Sequence, residues 1–422
     1  MFIETNTREF DQIVKDLKDI LLNVDQNVPR EVKGVEKILF CRNFLEEMNP
    51  EKRQVLKRFV DSILFDMHRL EASDLDFGGA GGMNKFWMRI HGNKRPMKHL
   101  PEFNCTEMNI IILNILTEKQ IELLLQYRNF DFSIEIREEK PFLREYRYRA
   151  DSYFELDDLS LNARAIIAAI RPFGSLELHP SVAKLMNINY LKEGLILVTG
   201  ITGSGKSSTL DSIIDDNNHS SAGHIIIISS PIEYIHKSDK CLVRHREVGR
   251  DVLSFKEGTI QALRQDPDII VIGELRDNDT IVAALDVTDS GHKVFSTLHT
   301  SSAVETIDRI IGETEVNEQE RVRVRLADVL KCIISQKLVP TVDGKRTLAK
   351  EVLAVTSSVK AAIKNNNTSE IYQMIHQGNE FGMTTMEQDL TRLFRQRRIT
   401  YETAVSFANQ KTRIQQLLAS KM

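Results

Sequence analysis

The segment that most constrains this chain is Gly200-Ile201-Thr202-Gly203-Ser204-Gly205-Lys206-Ser207, set between an apolar run and a stretch able to begin a helix. It fits the pattern G-x-x-x-x-G-K-[ST], a glycine-rich loop built to hold phosphate. Glycine lets successive backbone N–H groups turn inward around an anion, and the helix start adds partial positive charge. Gly200, Thr202, Gly203, Ser204, Gly205 and Ser208 are the candidate cradle. Lys206 reaches the β- and γ-phosphates of a nucleotide, and the Ser207 hydroxyl can ligate Mg²⁺.

Such a loop needs a sheet to hang from. Leu195–Thr199, Ile225–Ile228, Ile269–Ile272 and Val294–Leu298 are short apolar runs that suit strands covered on both faces. The segments between them are long enough for helical crossovers, so the chain carries an α/β nucleotide-binding core.

Three further segments place polar residues at the ends of these runs. Asp268-Ile269-Ile270-Val271-Ile272-Gly273-Glu274 ends an apolar strand in a carboxylate. A parallel sheet would put Glu274 beside the phosphate loop, where it can hold a metal's water or polarise the attacking one. Ser229-Ser230-Pro231-Ile232-Glu233-Tyr234 follows another run, and Glu233 at the sheet's C-terminal edge could act as general base. Taken alone, a surface glutamate fits equally well. In Gly291–Thr300, alternation puts His292 and His299 on opposite faces of one strand, which argues against a shared metal. His299 could report γ-phosphate, although a structural role is the simpler reading of both histidines.

The flanks differ in texture. Phe10, Ile13, Leu17, Ile20 and Val24 share one helical face, Pro29 interrupts, and a second amphipathic stretch runs over Glu51–Leu70. Core packing is the expected use of both faces. Glycines 78, 79, 81 and 82 then precede a strand-and-turn signal, Phe86–Ile90 with His91-Gly92-Asn93. Phe132–Ile136 and Tyr146–Arg149 alternate as strands, and Thr117–Tyr127 reads as a helix. Together these mark a small α+β domain. Beyond about Leu353 the chain turns helical.

Composition excludes several classes. The 422 residues carry a net charge of −4 and one tryptophan, with no basic-aromatic run, which argues against nucleic acid as partner. No apolar run approaches the ~18 residues that span a bilayer, and the first residues are polar, so a cytoplasmic location is expected. Cys41, Cys105, Cys241 and Cys332 are far apart and read as reduced thiols rather than a zinc site or a disulfide framework.

The order of these boxes resembles the secretion ATPase superfamily, and within it the pilus retraction ATPases. The family's Walker A, Asp, Walker B and His boxes look like Gly200–Ser207, Ile228–His236, Leu263–Asp277 and Gly291–Thr300. Similar texture covers Glu71–Leu75, Ile334-Ser335-Gln336-Lys337-Leu338 and Gly382–Gln388. The resemblance implies a RecA-like P-loop core with a smaller N-terminal α+β (PAS-like) domain and helical ends. The implied divisions are 1–56, 57–183, 184–350 and 351–422. It assigns Glu233 as catalytic base, Glu274 as the Walker B carboxylate and His299 as the nucleotide sensor. Arg149, in Tyr148-Arg149-Ala150-Asp151, and Arg164, in Arg164-Ala165-Ile166-Ile167, match the two arginines of the N-terminal domain that reach the phosphates. Guanidinium groups suit that task by neutralising phosphoryl charge.

The resemblance further implies a homo-hexamer that binds ATP between its two domains. Such a ring works at the cytoplasmic face of the inner membrane on a pilus platform protein, in some cases beside a paralogous ATPase. Departures from the pattern bear on this. Ser229 and Ser230 stand where the Asp box opens Glu-Asp, which keeps alive a nucleotide-gated scaffold with little hydrolysis. Ser358–Lys364 only weakly resembles the helix needed for retraction. Assembly ATPases typically carry a tetracysteine zinc module, and this chain has no Cys-x-x-Cys. That favours the retraction branch over a secretion or conjugation ATPase.

Overall fold

The computed structural model describes residues 3–419 apart from 6, 23, 25–27, 29, 30, 91, 92, 139–143 and 167–169. Pro29, the His91-Gly92 turn and Ile167 therefore lie outside the described residues. The chain forms two units, Met1–Ala168 with Ser230–Tyr234, and Ala169–Ser229 with Ile235–Met422.

Among the described residues the first unit opens with the helices α1 (Arg8–Ile20), α2 (Gly34–Glu47) and α3 (Pro50–Arg69). Asn49 caps α3 by accepting the Lys52 N–H at 2.9 Å, with Pro50 in the first turn where no N–H is missed. Strands β1 (Ala72–Gly78), β2 (Trp87–Ile90) and β3 (Asn93–Pro96) follow, then α4 (Cys105–Leu113) and α5 (Glu118–Tyr127). The long strands β4 (Asn129–Glu138), β5 (Arg144–Glu155) and β6 (Asp158–Ala165) complete an antiparallel sheet in the order β3-β2-β1-β6-β5-β4.

The expected helical extension 1–56 does not stand apart. Phe10, Ile13 and Leu17 of α1 bury in the same core as Phe59 and Ile63 of α3, and the rings of Phe10 and Phe59 stack 5.7 Å apart. The two units divide at 168/169. The amphipathic face of α1 is satisfied within its own unit, because each apolar side chain withdrawn from water contributes roughly 1.5–3 kcal/mol.

The second unit runs α6 (Pro180–Met186), β7 (Gly194–Thr199), α7 (Lys206–Ser220), β8 (Gly223–Ser229), β9 (Cys241–Glu247), α8 (Phe255–Ala262), β10 (Ile269–Ile272), α9 (Asn278–Asp289) and β11 (Lys293–Leu298). It continues with α10 (Ala303–Gly312), α11 (Gln319–Val329), β12 (Leu330–Pro340), β13 (Arg346–Ala354) and α12 (Ser357–Lys364), then α13 (Ile371–Gln377), α14 (Met386–Arg395), α15 (Tyr401–Phe407) and α16 (Lys411–Ala419).

Its seven strands lie in the order β13-β12-β7-β11-β10-β8-β9, all parallel except β13. Successive residues feed opposite faces. Leu195, Leu197, Ile226, Ile228, Ile270 and Ile272 enter one core, while Ile196, Val198, Ile225, Ile227, Ile269 and Val271 enter the other. That double burial is why these strands read as unbroken apolar runs.

The helical region expected from 351 begins inside β13 and belongs to this unit, where Met386, Leu390 and Leu393 pack on Val339 and Ala349. Strands β9 and β12 were not foreseen. The first is an edge strand with mixed charges, and the second carries Ser335, Gln336 and Lys337.

Candidate functional site

The phosphate loop leaves β7 at Gly200. This residue has φ +151°, and a Cβ there would stand 2.4 Å from Ser204 Oγ and 2.5 Å from the Gln336 carbonyl. The Ser204 N–H donates to the Ile201 carbonyl at 3.1 Å, closing the turn. Gly205, at φ +89°, is the N-cap of α7, a left-handed position that suits glycine. Lys206 folds back over the loop and donates from Nζ to the Gly200 carbonyl at 2.8 Å.

Sheet order decides what surrounds Lys206. β7 lies between β12 and β11, and β11 separates it from β10. Glu274 therefore follows the second strand from β7, with β11 between them. The residue after the intervening strand is His299, and it spans the gap. Its Nδ1 lies 3.4 Å from Lys206 Nζ, and its Nε2 lies 3.4 Å from Glu274 Oε1. Arg276 Nε donates to the other Glu274 oxygen at 2.9 Å, and Arg309 Nη1 donates to the His299 carbonyl at 3.0 Å.

Burial lowers the pKa of His299 below the usual histidine value. The Lys206 charge adds to this, and Arg276 and Arg309 act in the same direction against Glu274. The ring is thus neutral at pH 7, with one nitrogen a donor and the other an acceptor. His292 lies at the opposite end of β11, with Nδ1 3.0 Å from Ser290 Oγ. The two histidines flank the strand lengthwise rather than sharing it face to face.

In the first unit, Arg149 on β5 pairs directly with Arg164 on β6, so both side chains leave the same face of the sheet. Arg164 Nε donates to Asp74 Oδ1 at 2.8 Å, and Arg149 Nη2 lies 3.5 Å from Asp131 Oδ1. Arg149 Nη1 is 3.9 Å from Glu233 Oε1. Glu233 follows β8 by four residues, in the Ser230–Tyr234 segment that belongs to this unit. Hydrogen bonds from Ser73 and Arg164 hold the Asp74 carboxyl below its usual pKa against the cost of its burial, which is the larger single effect.

Sequence reasoning gave no role to Arg276, Arg309 or Gln336. The first and last lie in segments whose texture was noticed, but their partners are distant in the chain or across a turn. The hydroxyls of Thr199 and Ser335 are also paired, at 2.8 Å, beneath the loop.

The Ser207 hydroxyl is exposed in the first turn of α7, and the Glu274 carboxylate meets His299, which in turn meets Lys206. Among the described residues no group of three or more His, Cys, Asp or Glu could hold a metal. A hydroxyl with one carboxylate suits Mg²⁺, which keeps several waters and takes its remaining oxygens from phosphate.

The sequence model of the family described as "Type II/IV secretion system protein" matches residues 177–418. The chain is also 35% identical over 317 residues to the type IV pilus retraction ATPase PilT of Pseudomonas aeruginosa, covering 75% of this chain and 89% of that one.

The chain belongs to the type II/IV secretion system protein family.

A second relative in the family, the twitching motility protein of Neisseria gonorrhoeae, is 36% identical over 318 residues, or 75% of this chain and 82% of that protein. Among solved structures, the pilus retraction motor PilT with bound ADP superposes with a TM-score of 0.72 at 35% identity, covering 84% of this chain and 98% of that one. The Legionella pneumophila ATPase DotB gives 0.71 at 26% identity, over 82% and 94%. The second unit is thus the nucleotide-binding P-loop core of a secretion-family protein, and the smaller α+β unit precedes it. Among the described residues no helix is long and apolar enough to cross a membrane.

Proposed function

We propose that this chain is an ATP-hydrolysing motor of the pilus retraction type. The observation that carries the reading is the line Lys206–His299–Glu274 at the end of the parallel sheet, immediately beside the phosphate loop. Likeness to PilT over most of both chains supports retraction as the task.

In this reading Lys206 and the loop amides hold the β- and γ-phosphates of ATP. Ser207 and Glu274 would hold Mg²⁺, which would neutralise part of the negative charge of the phosphates. Glu233 takes a proton from the attacking water, and Glu274 orients that water. Arg149 and Arg164 neutralise charge on the transferring phosphoryl group. His299, neutral and in contact with both Lys206 and Glu274, senses whether the γ-phosphate is present.

The working assembly is a homo-hexamer at the cytoplasmic face of the inner membrane. It turns a pilus platform protein, with a paralogous ATPase as a further partner. A secretion-system motor is the second reading, favoured by the match to the type II/IV secretion system protein family.

Steady-state Mg-ATP hydrolysis by the purified full chain tests the reading, with Glu274→Gln as the blank. Turnover in the parent and none in the variant, with ATP still bound by both, is expected. Equal turnover in both would remove Glu274 from the site. Binding without turnover in the parent would point to a scaffold and to Ser229 and Ser230 as its cause. Restoration of twitching in a host lacking its own retraction ATPase separates retraction from secretion.

A further inference from the structure

The phosphate loop has a support that its own pattern does not contain. Gln336 lies in β12, beside β7, with 1% of its surface exposed. Its Nε2 donates to the Ser204 carbonyl at 2.8 Å. A carbonyl only accepts, so this partner fixes which end of the amide faces the loop. The contact joins residues 132 positions apart.

The Ser204–Gly205 peptide is followed by the Gly205–Lys206 peptide, which opens α7. In a planar trans peptide the C=O and the N–H point to opposite sides. Holding the Ser204 carbonyl toward β12 therefore turns the Gly205 N–H away from β12, toward the side where the amides of such a loop gather around phosphate. Gly205 has no Cβ, so its own sterics do not fix this orientation. Rotated about, the same peptide would present a carbonyl oxygen, a partial negative charge, to the anion. A Cβ built at Gly205 would meet Gln336 Nε2 at 3.4 Å, so the amide lies directly against this peptide.

We infer that Gln336 is a positioning residue for phosphate binding, whose side-chain amide sets the Ser204–Gly205 peptide so that the Gly205 N–H faces the β-phosphate. The inference rests on the nucleotide-binding reading of Gly200–Ser207 and extends it to a residue outside the loop.

The test uses the full chain and displacement of a fluorescent ADP by AMP, ADP and ATP. Gln336→Met removes the donor and keeps the length, while Gln336→Glu keeps the shape. AMP has no β-phosphate for the Gly205 N–H to meet. Both variants should lose about tenfold or more in affinity for ADP and ATP and less than about twofold for AMP. Both variants leave the Ser204 carbonyl without its donor and should lose some thermal stability without nucleotide, so the affinity for AMP is the measure of general damage. If Gln336→Met does not fold, Gln336→Glu decides by the same criteria.

Unchanged ADP affinity, or an equal loss for all three nucleotides, would overturn the inference, the second because it marks general damage. Lys206→Ala separates the two levels. Loss of ADP binding there, with Gln336 variants unaffected, overturns only the role of Gln336. If Lys206→Ala binds ADP like the parent, the loop reading fails and this inference fails with it.

Discussion

His299 Nδ1 lies 3.4 Å from Lys206 Nζ, so the residue after β11 touches the residue that opens α7. Through Nε2 the same ring reaches Glu274, at 3.4 Å. One side chain thus contacts the lysine offered to the phosphates and the carboxylate offered to water.

Replacing His299 by alanine should lower turnover by on the order of tenfold or more while ADP affinity changes little, since the ring acts between two groups rather than on the cradle. The pH dependence has a definite sign. The folded ring holds its proton less tightly than the usual histidine, because of burial and Lys206. Between the depressed folded value and the ordinary ~6.5, the unfolded chain binds more protons, so stability rises with pH in that window. Turnover should be insensitive to pH near 7 and fall only below the usual histidine range. A kcat profile for the parent, with His299→Ala for comparison, checks both statements.

Gly200→Ala should damage the loop without unfolding the chain. The new methyl would meet Ser204 Oγ at 2.4 Å and the Gln336 carbonyl at 2.5 Å, at a φ of +151°. Backbone on one side cannot yield, so the loop must shift. ADP affinity should fall about tenfold or more, for a cost on the order of 1–3 kcal/mol. Calorimetric titration with ADP is the measurement.

Glu351 on β13 is 2% exposed and accepts the Ala303 N–H at 2.8 Å, at the start of α10. Burial pushes its pKa up to about 7, with Glu387 adding to the rise, while the Ala303 and Met386 amides and Lys337 oppose it. The folded chain therefore holds a proton that the unfolded chain releases near 4.3. Its contribution to stability is full below that value and is lost as pH rises through about 7. Glu351→Gln keeps an acceptor for Ala303 and removes the charge. It should raise stability at pH 8 by on the order of 2–3 kcal/mol and have little effect at pH 4.5. Denaturant unfolding at the two pH values decides it.

Lys293 is fully buried in β11, and its Nζ donates to the Leu185 and Leu191 carbonyls at 2.8 and 3.0 Å. Burial lowers its pKa to about 7. From about 7 to the unfolded value of ~10.4, the unfolded chain binds the extra proton, so stability from this group rises with pH. Lys293→Met would leave both carbonyls without this donor, costing about 1–3 kcal/mol each at any pH. The readout is therefore the slope. Between pH 7 and 9.5 the melting temperature of the parent should climb relative to that of the variant, and parallel curves would contradict the assignment.

Much of the second unit was legible because its signals are local. The runs at 195–199, 225–228, 269–272 and 294–298 became β7, β8, β10 and β11, since both faces of each strand are covered. Thr117–Tyr127 became α5, with the reciprocal bonds between Thr117 and Gln120 fixing its start. The illegible strands were those whose neighbours excuse them from looking apolar. In β9 the sheet edge leaves Leu242 and Arg244 in water, and in β12 the polar residues find partners at the loop and the C-terminal helices.

The sequence by itself determined the phosphate loop, because glycine at 200, 203 and 205 is a statement about φ that holds wherever the segment sits. It determined the apolar strands and the family to which the chain belongs. Only the tertiary structure decided that β11 separates β7 from β10, that Arg149 faces Arg164 across two strands, and that Gln336 holds the Ser204 carbonyl. The reason is physical. A residue's steric limits act within a few positions of itself, whereas strand order is chosen among long loop closures whose entropies differ little with length. Packing of both sheet faces makes that choice, and no short window of sequence contains it.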